Sequence, residues 1–322
     1  MRSEASAAHL LRSPLSSLAH VGQTLAFAAV VGCGSPTVPP PREPAVEMLI
    51  PPGATTIVAV APAAIFASDA LRPVAQELVS AERLDAFRAR HGVDLRTLER
   101  LVIAEYGPSE GLTEGATIYF ARGAFHAEVV VAEIGNRMSP LESEDSRPVM
   151  RRAGTYRMQR VELLALGPTT VALTDGPPAL SGRIVATQQA ARTRAETGSF
   201  DAPLVLMRHG RPDLPPEGLG LLLARLEHTT VTFNAVGLAL EIDVQLQGEF
   251  PPGAEDNFRT LVTSIAQSDL GHALGMQEVA RSLVVHASSS EVSMHATADA
   301  ATIASGLRAL VGAEMDELLA LP

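Results

Sequence analysis

Residues 238–262 read LALEIDVQLQGEFPPGAEDNFRTLV, and two periodicities meet in them. Leu238, Leu240, Ile242, Val244 and Leu246 alternate with Ala239, Glu241, Asp243 and Gln245, the period of two that a half-buried strand requires. After the turn sequence Pro251-Pro252-Gly253, Phe258, Leu261, Val262 and Ile265 recur at helical spacing. Val231 to Ala235, just upstream, supplies the other arm of a hairpin. A strand with one polar face belongs to an antiparallel sheet that is wet on one side, and a helix following at once can cover the other. The order predicted is hairpin, then helix.

The same order recurs along the chain. Leu101 to Tyr106 and Ala116 to Phe120 read as strands joined by a glycine-rich loop, followed by a helix from Phe125 to Ile134. Tyr156 to Leu166 and Thr169 to Leu173 read as strands before a helix from Pro177, with Leu180, Ile184 and Val185 behind an Asp175 cap. Leu283 to Ala287 and Val292 to Ala296 form a last hairpin, before a helix from Ala300 to Leu319 with Ile303, Leu307 and Leu310 inward. Ahead of all these, Thr56 to Val60 is a strand. Leu71, Val74 and Leu78 then share a helix face behind a Ser68 or Asp69 cap, with Pro73 in the first turn. Leu84 and Phe87 carry that stripe on to Gly92. Four hairpin-then-helix units predict an α+β fold, antiparallel hairpins each followed by a helix, with helices packed on sheet in a pseudo-repeat. The expected halves are 49–198 and 199–322, divided near Thr197-Gly198-Ser199-Phe200.

Composition narrows the chemistry. A net charge of −11 repels phosphate backbones, so no nucleic-acid partner is expected. All 25 basic residues are arginines, which excludes a phosphate-loop lysine, a Schiff-base lysine and a serine–lysine dyad. The single cysteine, Cys33, excludes cysteine-cluster zinc sites, iron–sulfur sites and internal disulfides. With no tryptophan and 4% aromatics, stacking platforms for bases or sugars have little material.

Cys33 stands after the apolar run Leu25 to Val31 and before the proline-rich stretch Gly34 to Pro44. Arg2 and Arg12 precede the run, and the run is too short to span a bilayer, so residues 1–32 read as a secretory signal peptide. Val30-Val31-Gly32-Cys33 resembles the lipobox of bacterial lipoproteins. The resemblance implies that Cys33 receives a diacylglycerol, that the chain is cut before it, and that the new amino group can be acylated. Two or three acyl chains at about 0.8 kcal/mol per buried CH₂ make such attachment effectively permanent. Gly34 in place of an inner-membrane-retaining aspartate implies the outer membrane, facing the periplasm. Residues 33–48 read as a tether, since prolines fix φ and remove donors; at about 3.1 Å per residue the stretch Gly34 to Pro44 holds the body roughly 30–40 Å from the lipid. HGVDLRTLERLVIA, EGATIYFARGAF and the opening stretch are also similar to segments of uncharacterised exported lipoproteins of GC-rich Gram-negative bacteria, a resemblance that implies architecture and address but no activity.

Four signals bear on catalysis or metal binding. Gly107-Pro-Ser-Glu-Gly111 matches G-x-S-x-G, but a nucleophile elbow needs a helix directly after the serine, and a strand follows here, so a hairpin loop is preferred. Leu204-Val-Leu-Met-Arg-His-Gly210 resembles the strand and RHG motif of histidine phosphatases. That resemblance implies His209 as phosphoryl acceptor, Arg208 on the phosphate and His286 as the distant second histidine. Pro212, Pro215 and Pro216 follow where that family continues into a long helix, so a strand ending in a polar turn is preferred. A last hairpin turning at Ser289-Ser290 puts His286 and His295 on one face as diagonal neighbours, read as solvated histidines rather than a zinc or copper site. Glu142-Ser-Glu-Asp145 lacks the oxygen spacing of a calcium loop and reads as a solvated acidic loop.

The function expected is therefore that of a lipid-anchored periplasmic interaction or structural module. It is expected to be non-enzymatic, without cofactor or metal, held to the membrane through Cys33 and contacting a protein partner of the envelope. A carrier or sensor of an apolar ligand, recognised by an open apolar pocket, is the alternative. A phosphohydrolase would require Arg208, His209 and His286 to converge.

Overall fold

A computed structural model describes residues 43–91, 93–108, 115–136, 139–140, 150–156, 159–192, 200–210 and 222–304. The signal segment, Cys33, the stretch up to residue 42, Ser109 to Gly111, Glu142 to Asp145 and Thr197 to Ser199 lie outside the described residues.

In chain order the elements begin with β1 (Thr56–Val60), α1 (Pro62–Ala67), α2 (Leu71–Leu78), α3 (Ala81–His91), β2 (Leu98–Tyr106), β3 (Ala116–Gly123) and α4 (Ala127–Gly135). Then come β4 (Ser139–Pro140), β5 (Arg151–Tyr156), β6 (Gln159–Ala165), β7 (Thr170–Thr174), α5 (Pro178–Ala191) and β8 (Leu204–His209). The last are β9 (Leu226–Val236), β10 (Ala239–Gly248), α6 (Ala254–Ala266), α7 (Asp269–Ala273), α8 (Met276–Ser282), β11 (Val284–Ala287) and β12 (Glu291–Asp299). Every recorded strand pair is antiparallel, and the fold is α+β. The described chain divides into two compact units, residues 43–63 with 84–201, and residues 64–83 with 202–304.

In the first unit the strands run in the order β1-β2-β3-β7-β6-β5-β4. Val102, Ile103 and Ala104 of β2, Ile118 to Ala121 of β3 and all of β7 are buried, so neighbouring side chains on opposite faces are both covered. That is why these strands read as continuous apolar runs instead of alternating. Ser181 of α5 donates to Glu162 on one face, while Gly135 of α4 abuts Arg152, whose partner Leu163 lies on the other. Glu162, wholly buried on β6, takes charge-assisted hydrogen bonds from Arg151 and Arg160. An unpaired carboxylate there would cost far more than this cluster does.

Three details depart from the sequence expectations. Residues 43–48, assigned to the tether, are part of this unit. Val46 and Leu49 are 1% exposed, Thr169 N donates to Glu43 Oε1 at 2.7 Å, Arg122 donates to the Pro44 carbonyl and approaches Glu43 at 3.5 Å, and Arg100 Nε lies 3.0 Å from Glu47 Oε1. Local proline content concealed this, because the arginines that hold the segment lie more than fifty residues downstream. The strand expected at 156–166 is the second arm of a β5–β6 hairpin, with Tyr156 paired to Gln159; Arg151 and Arg152 break the apolar pattern of β5. Asp175 does not cap α5, which starts without a side-chain cap; its Oδ1 instead accepts from Thr117 N at 2.7 Å.

In the second unit the order is β11-β12-β10-β9-β8. Leu240, Ile242, Val244 and Leu246 of β10 share a face with Ala298, Ala296, Met294 and Val292 of β12. Onto that face pack Phe258 and Leu261 of α6, Val279 and Met276 of α8, Leu71 and Val74 of α2, and Ile303 in the helical residues 300–304. Residues 64–83, placed by sequence order in the first half, thus supply a helix to this second core. The N-cap of α2 is Ala70, without a side-chain cap, rather than the Ser68 or Asp69 expected; Ser68 Oγ still accepts from Leu71 N at 3.3 Å. Gly253, at φ 81, allows the Pro251-Pro252-Gly253 turn to enter α6 directly.

Candidate functional site

The opposite face of the second unit's sheet bears the polar side chains. The registers put Glu241, Asp243 and Gln245 of β10 beside Asn234, Thr232 and Thr230 of β9 and Thr297, His295 and Ser293 of β12. His209 of β8 pairs with His228 of β9, and His286 of β11 pairs with Ser293. Four of the chain's nine histidines therefore share this one face, which makes it the place to look for a site.

The β8–β9 register sets His209 directly across from His228. Their Nδ1 atoms are 3.1 Å apart, with ring centroids at 4.5 Å and planes at 44°. Thr230, two residues along β9 and so on the same face, places its Oγ1 3.1 Å from His228 Nε2. Partial burial, and next the neighbouring His209, hold the His228 imidazole below its usual protonation range. At this separation one Nδ1 donates an N–H and the other accepts it.

His286 and His295 are diagonal neighbours on this face, as the expected turn required. His295 Nδ1 lies 2.8 Å from Asp243 Oδ1, a cross-strand contact between half-exposed side chains that occupies that nitrogen. Arg208 pairs with Thr229, one residue out of phase with His209, so its side chain leaves the opposite face of the strand. His286 sits four strand spacings from β8, roughly 20 Å at about 4.8 Å per spacing. The three residues of the phosphatase resemblance are not brought together. His228, the partner His209 does have, stands in Leu226-Glu-His-Thr-Thr230 without any motif, and only strand register reveals it.

Gly107 follows β2 and Gly115 precedes β3, and Tyr106 pairs with Ala116, so the G-x-S-x-G expression joins two paired strands. Among the described residues no group of three or more His, Cys, Asp or Glu side chains is placed to hold a metal ion, and no helix is long and apolar enough to cross a membrane.

No protein-family model and no curated protein matches the chain. Among solved structures it is similar to crystal forms III, IV and I of TP0453. Form III has 10% identity and a TM-score of 0.46, covering 83% of this chain and 98% of that one. Form IV has 8% identity and a TM-score of 0.45, covering 82% and 96%. Form I has 10% identity and a TM-score of 0.42, covering 84% and 98%.

Proposed function

We propose that this chain is a lipid-anchored envelope protein, held in the outer membrane through acyl chains on Cys33, whose α+β body is a non-enzymatic module that binds a protein partner in the periplasm. The address rests on the lipobox Val30 to Cys33 and the proline-rich stretch after it. The observation that carries the binding role is where large apolar side chains are left in water. Among the described residues these are Val236 at 54% exposure, Leu238 at 76% and Val284 at 45%. All three belong to the second unit: Leu238 is at the β9–β10 turn, and Val236 and Val284 are on the sheet face opposite the one on which its described helices pack. Val236 and Leu238, two residues apart at this turn, are the apolar pair that the proposed contact would bury, with the polar sheet face as its rim.

Two measurements test the two parts of this reading. Mass spectrometry of the native N-terminus should find an acylated Cys33 as the first residue, and Cys33→Ser should move the protein out of the membrane fraction. An unmodified thiol with residues 1–32 intact overturns the address. A photo-crosslinking residue at Leu238 should capture one defined envelope protein, whereas the same residue at Arg259 on α6 should not. Identical adducts, or none, at both positions overturn the binding role.

A further inference from the structure

We propose that His209 and His228 form a bidentate site for a transition-metal dication of the imidazole-preferring class, copper, nickel or zinc, with solvent completing the coordination. The spacing of the two nitrogens is already that of a chelate. At the 3.1 Å separation of the two Nδ1 atoms, an ion about 2.0–2.1 Å from each subtends an angle of about 95–100°. That value lies between the cis angle of square-planar sites and the tetrahedral angle, and it puts the ion off the Nδ1–Nδ1 line, so each ring must turn its lone pair by about 40° from the line of the present contact. Both ligands stand on adjacent antiparallel strands, directly opposite one another, so backbone pairing presets their spacing.

The outer contacts favour the same arrangement. A ligating histidine ordinarily donates its second ring N–H to an oxygen, which fixes the tautomer that turns a lone pair to the metal. Thr230 Oγ1 is in place to accept from His228 Nε2, leaving His228 Nδ1 as the lone-pair nitrogen. His209 then has to present its Nδ1 lone pair as well, with its N–H on Nε2. His209, the last residue of β8, is exposed and His228 is half-buried, so solvent reaches the pair. His286 and His295 do not offer an equivalent, because they are diagonal neighbours, His286 standing across from Ser293, rather than a directly opposed pair. Two protein ligands leave coordination positions free, and the affinity order expected is copper above nickel and zinc.

The test uses the full chain in detergent, prepared without a polyhistidine tag and titrated calorimetrically with copper(II) and zinc(II). One equivalent should bind. His209→Ala and His228→Ala should each weaken binding on the order of 100-fold, Thr230→Val by about 10-fold, and His286→Ala and His295→Ala not at all. In the unmutated chain, zinc should shift the ring-proton resonances of two histidines together, and copper should give an electron spin resonance spectrum with two nitrogen couplings; these readouts do not depend on any variant folding. Absence of binding at sub-millimolar metal, affinities unchanged in both His209 and His228 variants, or coupling to a single nitrogen overturns the proposal.

Discussion

Arg151 Nη2 lies 2.7 Å from Oε1 of Glu162, and Glu162 has no exposed surface. Ser181 of α5 donates to the other oxygen of the same carboxylate, so one side chain ties two strands and a helix together. Replacing Glu162 by alanine removes the buried carboxylate to which Arg151, 8% exposed, and Arg160 both donate. The expected loss is about 3–5 kcal/mol of unfolding free energy, read from urea denaturation midpoints. A loss under about 1 kcal/mol would mean that water reaches the cluster.

The same carboxylate sets an acid dependence. Burial by itself would raise the Glu162 pKa, but the hydrogen bonds from Arg151, Ser181 and Arg160 together outweigh it and hold the group below its ordinary value of 4.5. A carboxyl depressed in the folded state contributes stability that is present above about pH 4.5 and lost as pH falls through the folded value. Glu162→Gln should therefore be less stable than the unmutated chain at pH 7 and should lose less on going from pH 5 to pH 3. Parallel stability curves for the two proteins over that interval would contradict this.

Glu43 accepts from Thr169 N and from both Thr169 and Thr170 hydroxyls, with Arg122 alongside. Glu43→Ala should free the start of the body, costing about 2 kcal/mol and speeding proteolytic cleavage around residues 43–50 several-fold. The fragment released would begin near β1. Unchanged cleavage would show that Val46 and Leu49 hold the segment unaided.

Two glycines should respond differently to alanine. A Cβ at Gly271 would meet the Ile265 carbonyl oxygen at 1.9 Å, so Gly271→Ala must push α7 away from the end of α6, at about 1–3 kcal/mol. Gly237 has open space but φ 63, and there alanine should cost only about 1 kcal/mol of backbone strain. Thermal denaturation of the two variants should rank them in that order.

Much of the element order was legible before any coordinates, because it rests on local periodicity. The β9–β10 hairpin and α6 follow directly from the alternation of Leu240 to Leu246 and the spacing of Phe258, Leu261 and Ile265. Leu238, counted with the inward set, is the exception: it falls in the two-residue turn and is exposed, since a period of two does not say where a strand ends. The short helices α1, α7 and α8 were missed because five to seven residues hold too few turns to show a stripe. The candidate site was half legible. The RHG resemblance pointed at His209, but it named Arg208 and His286 as companions, and strand geometry separates all three.

By itself, then, the sequence determined most of the longer strands and helices, and that hairpins precede helices, because those preferences act between residues a few positions apart. Tertiary structure alone decided that His209 meets His228, that Glu162 gathers Arg151 and Ser181, and that Glu43 closes on Arg122 and Thr169. Contacts of that kind are set by strand register and by which faces helices cover, and these depend on packing across the whole unit rather than on any pattern within one segment.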